Sequence, residues 1–247
     1  MMRCKRLSRS TSILASIAAA IALVACQSEP TSTSATDPSP TDSSTNSIAA
    51  QQLRAQAAVR VVAEGCKTNA SLGAGAVIAD DRIVTVAHVV AGATTITLVA
   101  FDGTRYSAEL VGIDRVHDLA LLRAAVPLVA LPSRAMVPGD AGWYTVYRQD
   151  AAVEMPFEAQ AVVDINVNDI DNTAKSLRRG FQVQATIKSG DSGAVLVVDG
   201  AATAVLFARS TGADERAWAT DLSELQPLLG QDTGQAVDRG RCVGVAD

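Results

Sequence analysis

The sequence has no excess of positive charge. Its 21 lysine and arginine side chains are outnumbered by 26 aspartate and glutamate side chains, which gives a net charge of −5. Proteins that bind nucleic acid neutralise its phosphates with a basic surface, so nucleic acid is not an expected partner. The one notable basic pair outside the N-terminal segment is Arg178-Arg179, which we expect to lie in a solvated turn.

Long apolar runs are also scarce, and the one that stands out spans residues 13–24. It is short for a transmembrane helix, it follows a basic segment, and it ends in Leu23-Val24-Ala25-Cys26. This pattern is typical of a cleaved signal peptide, and its end resembles the bacterial lipobox. We therefore predict a lipoprotein signal over residues 1–25 and a lipid on Cys26. Residues 26–47 are rich in Ser, Thr and Pro, which predicts a disordered tether.

The most informative motif is Gly190-Asp191-Ser192-Gly193. A serine hydroxyl becomes an effective nucleophile only beside a base, which a third group must orient. His88 follows an apolar run, and Asp118 opens the run of residues 118–122, so base, acid and nucleophile occur in that order. Each motif alone is common in ordinary turns, but the combination predicts a serine hydrolase.

Two neighbours of Asp118 complicate the assignment of the acid. Asp114 competes with Asp118 for the third role, and we favour Asp118 because it directly begins the apolar strand. His117 precedes Asp118, so in an extended chain its side chain points to the opposite face. We expect His117 to be a surface residue.

These motifs resemble the chymotrypsin-like (trypsin-fold) serine peptidases, and most closely the membrane-anchored acid-resistance serine proteases of mycobacteria and other actinobacteria. The resemblance covers about residues 59–242. It is carried by the following segments: Gly65-Cys66, Gly73-Ala74-Gly75, Ala87-His88-Val89-Val90-Ala91-Gly92, Asp118-Leu119-Ala120-Leu121-Leu122, Gly190-Asp191-Ser192-Gly193 and Gly240-Arg241-Cys242. The mycobacterial proteins place several membrane helices before the protease domain, whereas this sequence offers only the signal.

The resemblance implies a double β-barrel with the catalytic cleft between the barrels, and an oxyanion hole formed by the backbone N–H groups of Gly190 and Ser192. It places Thr186 at the base of the primary pocket, which predicts a preference for small or apolar side chains. Ala194-Val195 departs from the Gly-Pro usual in the family. The sequence has no Ile-Val-Gly-Gly start, so Asp191 needs a partner other than a released N-terminus.

Two cysteines remain in the mature domain, Cys66 and Cys242, one near each end. Outside the cytoplasm an even pair of this kind indicates a disulfide, with metal binding as the alternative. In the resembled family, a disulfide joins the two ends of the protease domain in the same way. We expect no metal and no cofactor, since the two histidines have better uses.

The strand pattern agrees with an all-β fold. Short apolar runs alternate with turns such as Asp102-Gly103 and Asp199-Gly200, which predicts hairpins and a barrel or sandwich. We expect a protease domain over residues 48–247, with six-stranded barrels at about 59–131 and 140–229. Helical patterns occur near residues 48–58, briefly after His88, and in a short C-terminal helix over residues 222–229.

The sequence therefore predicts a monomeric, secreted, lipid-anchored serine endopeptidase that acts on envelope or extracellular proteins or peptides. The alternative, kept open by Ala194-Val195, is a catalytically silent trypsin-fold lipoprotein that binds a partner through the former cleft.

Overall fold

The computed structural model describes residues 41–65, 67–170, 173–210, 212–213, 215–231, 237–240 and 242. The predicted signal peptide, Cys26 and Cys66 lie outside the described residues. So does the predicted tether up to residue 40, whereas the first helix, α1 (Thr41–Ala57), begins inside that segment. Within the described ranges no helix is long and apolar enough to cross a membrane.

Six antiparallel strands close the first barrel. In chain order they are β1 (Ala58–Glu64), β2 (Ser71–Ala79), β3 (Arg82–Thr85), β4 (Thr95–Ala100), β5 (Arg105–Asp114) and β6 (Leu119–Arg123). Around the barrel the order is β1-β2-β3-β6-β5-β4, with β4 pairing back to β1. A single helical turn, α2 (Ala87–Val90), follows β3.

The second barrel has the same architecture. Its strands are β7 (Ala141–Arg148), β8 (Ala151–Asn168), β9 (Lys175–Gln184), β10 (Val195–Val198), β11 (Ala201–Arg209) and β12 (Arg216–Asp221). Around this barrel the order is β10-β11-β12-β9-β8-β7, and β7 closes the ring by pairing with β10. The predicted all-β double barrel with a short C-terminal helix is confirmed, because a 3₁₀ turn (Leu222–Leu225) leads into α3 (Gln226–Leu229).

Each of the two terminal helices contacts the barrel that is more distant from it in the sequence. α1 precedes the first barrel, yet its Arg54 Nε bonds Glu154 Oε1 of β8 at 2.6 Å, and its guanidinium carbon lies 5.9 Å from the ring centroid of Trp143. α3 follows the second barrel, yet Leu228 is buried in the core of the first, where it covers Gly112 of β5. The ion pair of α1 and the buried apolar side chain of α3 therefore both connect the two barrels.

The barrels also share an apolar core across their seam. The cluster that fills the first barrel includes Val195, Val197, Val205 and Phe207 from β10 and β11 of the second. A continuous core of this kind resists relative movement, because protein interiors are close-packed and deform little. The elements that carry the candidate site are therefore held on a rigid frame.

Candidate active site

The predicted base, His88, lies on the single turn of α2. Val86 is extended at the N-cap (φ −95°, ψ 146°), so the chain leaves β3 and turns at once into the helix. Ala87 and Val90 are fully buried, which directs His88 to the open side, where 30% of its side chain is exposed. The apolar residues of this turn thus fix where the imidazole lies.

The predicted acid, Asp118, contacts His88 with both carboxylate oxygens. Oδ2 lies 2.8 Å from His88 Nδ1, and Oδ1 accepts the backbone N–H of His88 at 2.8 Å. Asp118 is buried and has a left-handed φ of 58°, a conformation that Asp tolerates better than most residues. A proton on Nδ1 is favoured by this contact, which leaves Nε2 free to accept a proton.

Asp114 and His117 form a separate pair. Asp114 Oδ1 accepts the N–H groups of Val116 and His117, and Asp114 Oδ2 lies 2.7 Å from His117 Nδ1. Asp114 therefore shapes the turn that carries Asp118 and does not contact His88. His117, predicted to be a surface residue, is partly exposed, with 26% of its side chain accessible and its Nε2 3.5 Å from Glu224.

The loop that carries the predicted nucleophile Ser192 (the nucleophile loop) lies against β2 of the first barrel. Ser192 O accepts the N–H of Ala74 at 2.8 Å. A Cβ on Gly193 would lie 2.1 Å from Ala74 O, and one on Gly73 would lie 2.8 Å from Ser192 O and 2.9 Å from a methyl of Val89. These glycines allow the backbone of the Ser192 loop to approach β2 and the turn next to His88.

The Ser192 loop uses some of its N–H groups in its own turns and leaves others unpaired. Within the described residues, Ser192 Oγ has no hydrogen-bond partner, and neither Gly190 nor Ser192 donates its backbone N–H. Asp191 N–H donates to Lys188 O at 3.1 Å, and Ala194 N–H donates to Asp191 O at 3.0 Å. Two consecutive turns thus leave the N–H groups of Gly190 and Ser192 available for an oxyanion.

Asp191, whose partner the sequence left open, is bound by Arg148 of β7. The carboxylate is fully buried and receives both Nη groups of Arg148, with Nη2 at 2.7 Å from Oδ2. The N–H of Lys188 donates to the same Oδ2 at 2.8 Å. The hydrogen bonds that Arg148 donates to Asp191 raise the pKa of this arginine. This pair holds Asp191, which lies between Gly190 and Ser192, the two residues predicted to form the oxyanion hole.

Thr186 lines a cavity of about 290 Å³ on the second barrel, together with Phe157, Glu158, Gln184 and Glu215. Its backbone carbonyl accepts the hydroxyl of Tyr144 at 2.9 Å. Burial raises the pKa of Tyr144 to about 12, so this hydroxyl stays a donor at ordinary pH. The tyrosine fixes the backbone at Thr186.

Ala194 fits where the resembled family carries glycine. Its φ lies outside the left-handed region, and its methyl group is fully buried in the core of the second barrel. The departure from the family pattern therefore costs no backbone strain, and the methyl group adds apolar contact.

Sequence reasoning missed two arginines, Arg148 and Arg178. Arg178 was predicted in a solvated turn, but it is buried within β9, and its Nη1 lies 3.6 Å from Asp118 Oδ2. No local pattern marks either residue, because each acts on a site that is distant in sequence. In the described part of the chain, no group of three or more His, Cys, Asp or Glu residues is arranged to hold a metal ion.

Comparison with known proteins agrees with this geometry. A family model described as a trypsin-like peptidase domain matches residues 73–205, which include His88, Asp118 and Ser192. The magnetosome formation protease MamE of Paramagnetospirillum magneticum is 33% identical over 139 residues, which are 52% of this chain and 18% of MamE. The serine protease Rv3671c of Mycobacterium tuberculosis is 27% identical over 178 residues, which are 69% of this chain and 45% of that protein.

The fold has a solved counterpart. The crystal structure of the active form of the Rv3671c protease matches with a TM-score of 0.73 at 24% identity, over 79% of this chain and 89% of that one. The chain spans less than half the length of the two curated relatives compared with it.

Replacing Arg148 tests whether its ion pair holds the nucleophile loop. Arg148→Met leaves the buried Asp191 carboxylate without a cation, so we expect the rate of Ser192 labelling by a fluorophosphonate to fall about tenfold or more. Arg148→Lys keeps the charge without the bidentate geometry, so its labelling rate should lie between those of Arg148→Met and the wild type. Exposed Arg105→Met serves as the control. A folded Arg148→Met protein that labels at the wild-type rate would contradict this role.

Proposed function

The chain belongs to the family of trypsin-like peptidase domains, and on that premise we propose that it is a lipid-anchored serine endopeptidase with His88, Asp118 and Ser192 as its catalytic triad. The chain is thus a trypsin-like serine peptidase, as the sequence motifs predicted, and the proposal adds the residues that act, the anchor and the substrates.

One observation carries the assignment of the triad. Asp118 accepts hydrogen bonds from both the ring and the backbone N–H of His88 at 2.8 Å. The Ser192 loop is hydrogen-bonded to β2, which lies beside the His88 turn. The other histidine and its carboxylate partner, His117 and Asp114, bond each other instead. This supports Asp118, and not Asp114, as the orienting acid.

The proposed reaction follows from these contacts. Ser192 Oγ attacks the carbonyl carbon of the scissile peptide bond while His88 Nε2 takes its proton, and Asp118 stabilises the imidazolium that forms. The N–H groups of Gly190 and Ser192 bind the oxyanion. His88 then gives its proton to the leaving amine, which leaves an acyl group on Ser192. Water activated by His88 hydrolyses this ester and restores the enzyme.

The proposed substrates are proteins or peptides of the cell envelope or extracellular space. Thr186, proposed at the primary pocket, lines a cavity that also contains the carboxylates of Glu158 and Glu215. The preference for small or apolar side chains stays a prediction from the resemblance. The alternative of a silent binding module rested on Ala194-Val195, and the strain-free burial of Ala194 favours the enzyme.

The proposed protein has three parts. Residues 1–25 form the signal peptide, residues from the lipidated Cys26 to 40 form the tether, and residues 41–247 form a monomeric protease domain, because the predicted tether to residue 47 overlaps α1 (Thr41–Ala57). The sequence pattern supports this division. The tether and the lipid would hold the domain outside the cytoplasm, close to the membrane surface.

The triad is tested by parallel substitutions. We expect Ser192→Ala and His88→Ala each to abolish casein cleavage, and Ser192→Ala to abolish fluorophosphonate labelling, with circular dichroism and melting temperature near wild type. Asp118→Asn should lower the rate severely because the imidazole loses its orientation, whereas Asp114→Asn should retain most activity because Asn keeps the acceptor for the turn. Labelling of a folded Ser192→Ala protein would place the nucleophile elsewhere.

The lipid anchor is tested at Cys26. In cells fed an alkyne-tagged fatty acid, we expect the wild-type full-length chain to incorporate the tag and to sediment with membranes. Cys26→Ser should lose both properties, and Cys4→Ser should keep them, because Cys4 leaves with the signal. Tag retained on the Cys26→Ser protein would reject this site.

The proposed disulfide joins Cys66 and Cys242. The disulfide-bonded state of Cys242 supports this pairing, since Cys66 is the only other cysteine of the mature domain. Loss of a cross-link that closes so long a loop lowers the free energy of unfolding by about 2–4 kcal/mol. Cys66→Ser should therefore lower the melting temperature by roughly 4–16 °C. A peptide map of the unreduced domain identifies the bond, and two free thiols in protein exported to an oxidising compartment would refute it.

A further inference from the structure

Arg178 is the one basic side chain that is fully buried in the part of the chain that the structure describes. It belongs to β9 of the second barrel, and 3% of its side chain is exposed. A guanidinium removed from water costs free energy unless charged or hydrogen-bonding partners compensate. Its partners therefore indicate why the residue lies there.

Those partners belong to the turn that carries the catalytic acid. Arg178 Nε donates to Val116 O, and Nη1 lies 3.6 Å from Asp118 Oδ2. The guanidinium carbon lies 5.1 Å from the ring centroid of Phe207 on β11, within the range of a cation–π contact. A residue of the second barrel thus reaches the acid of the first.

The hairpin that carries Arg178 also contacts the turn of His88. Ile170, between β8 and β9, is 6% exposed and packs with Ala87, Ala91 and Ile113. Ala87 and Ala91 flank the helical turn that presents His88. One hairpin of the second barrel is therefore packed against both the base and the acid of the first barrel.

Asp118 Oδ2 is shared between two cationic or potentially cationic groups. The same oxygen lies 2.8 Å from His88 Nδ1 and 3.6 Å from Arg178 Nη1. In the resting enzyme the imidazole must be neutral to act as a base, so it does not balance the buried carboxylate. Arg178 supplies the missing positive charge, and a cation at this oxygen also opposes a second cation on His88.

The other charged groups around Arg178 are carboxylates and one histidine. Burial lowers the pKa of Arg178, while the charges of Asp118, Asp114 and Asp169 act in the opposite direction. His117 belongs to the same turn and lies between Asp114 and Glu224. The guanidinium remains charged throughout the pH range in which histidine titrates.

We propose that Arg178 is a positioning residue that compensates the buried charge of Asp118 in the resting enzyme and thereby holds the carboxylate that orients His88. The proposal rests on the proposed catalytic function. It implies that loss of this cation changes the pH–rate profile and not only the stability of the domain.

The test measures the fluorophosphonate labelling rate of the soluble domain between about pH 4 and pH 8. In Arg178→Gln we expect the acid limb to move up by about one pH unit and labelling at neutral pH to fall about tenfold. The matched control is Arg179→Gln, which removes the same charge from the exposed neighbour on β9, and it should leave both quantities unchanged.

Three outcomes are distinguishable. A wild-type domain that never labels refutes the proposed function. A wild-type domain that labels, with an acid limb unmoved in folded Arg178→Gln, refutes the role of Arg178. An equal shift in Arg179→Gln would show a general charge effect and would also refute it.

Stability provides a second measurement if Arg178→Gln folds poorly. Asp118→Asn leaves the buried guanidinium without its counter-charge, and Arg178→Gln leaves the buried carboxylate without its counter-charge. Each substitution should therefore lower the melting temperature. The double variant buries neither charge and should melt higher than the sum of the two single losses predicts. Additive losses, or a double variant that does not fold where Asp118→Asn does, would show that the two groups do not compensate each other.

Discussion

The burial of the Asp118 carboxylate is the constraint on which the active site depends. A buried charge persists only when donors and a counter-charge surround it, and here the ring and backbone of His88 provide the donors. The same contacts that make the charge tolerable fix the orientation of the imidazole. The left-handed backbone at Asp118 and the turn shaped by Asp114 serve this one arrangement.

The site is divided between two barrels, so catalysis requires that their relative position be fixed. The Ser192 loop bonds β2, α1 bonds β8, and α3 covers β5. The hairpin of β8 and β9 adds Ile170 behind the His88 turn. Since a displacement near 1 Å costs roughly a hundredfold in rate, these contacts contribute to function as well as to stability.

Paired charges recur around the proposed triad. Asp191, next to the proposed nucleophile, is bound by Arg148, and Asp118, which contacts the proposed base, has Arg178 nearby. Both arginines come from the second barrel, whereas the two aspartates come from different barrels. Arg148 gives the buried Asp191 carboxylate a counter-charge from within the domain. Asp191 therefore needs no released N-terminus as its partner, in agreement with the lack of an Ile-Val-Gly-Gly start in the sequence.

The amino-acid sequence by itself determined the strands, the hairpins and the residues capable of the chemistry. Alternating apolar residues and turns such as Asp199-Gly200 are local signals, and His88, Asp118 and Ser192 stand in short motifs, so both were predictable. The partners of buried charges were decided only by the tertiary structure. Arg148 lies 43 residues from Asp191, and Arg178 was predicted to be solvated. A side chain's electrostatic partner depends on which strands the closed barrels bring together, and no local pattern encodes that.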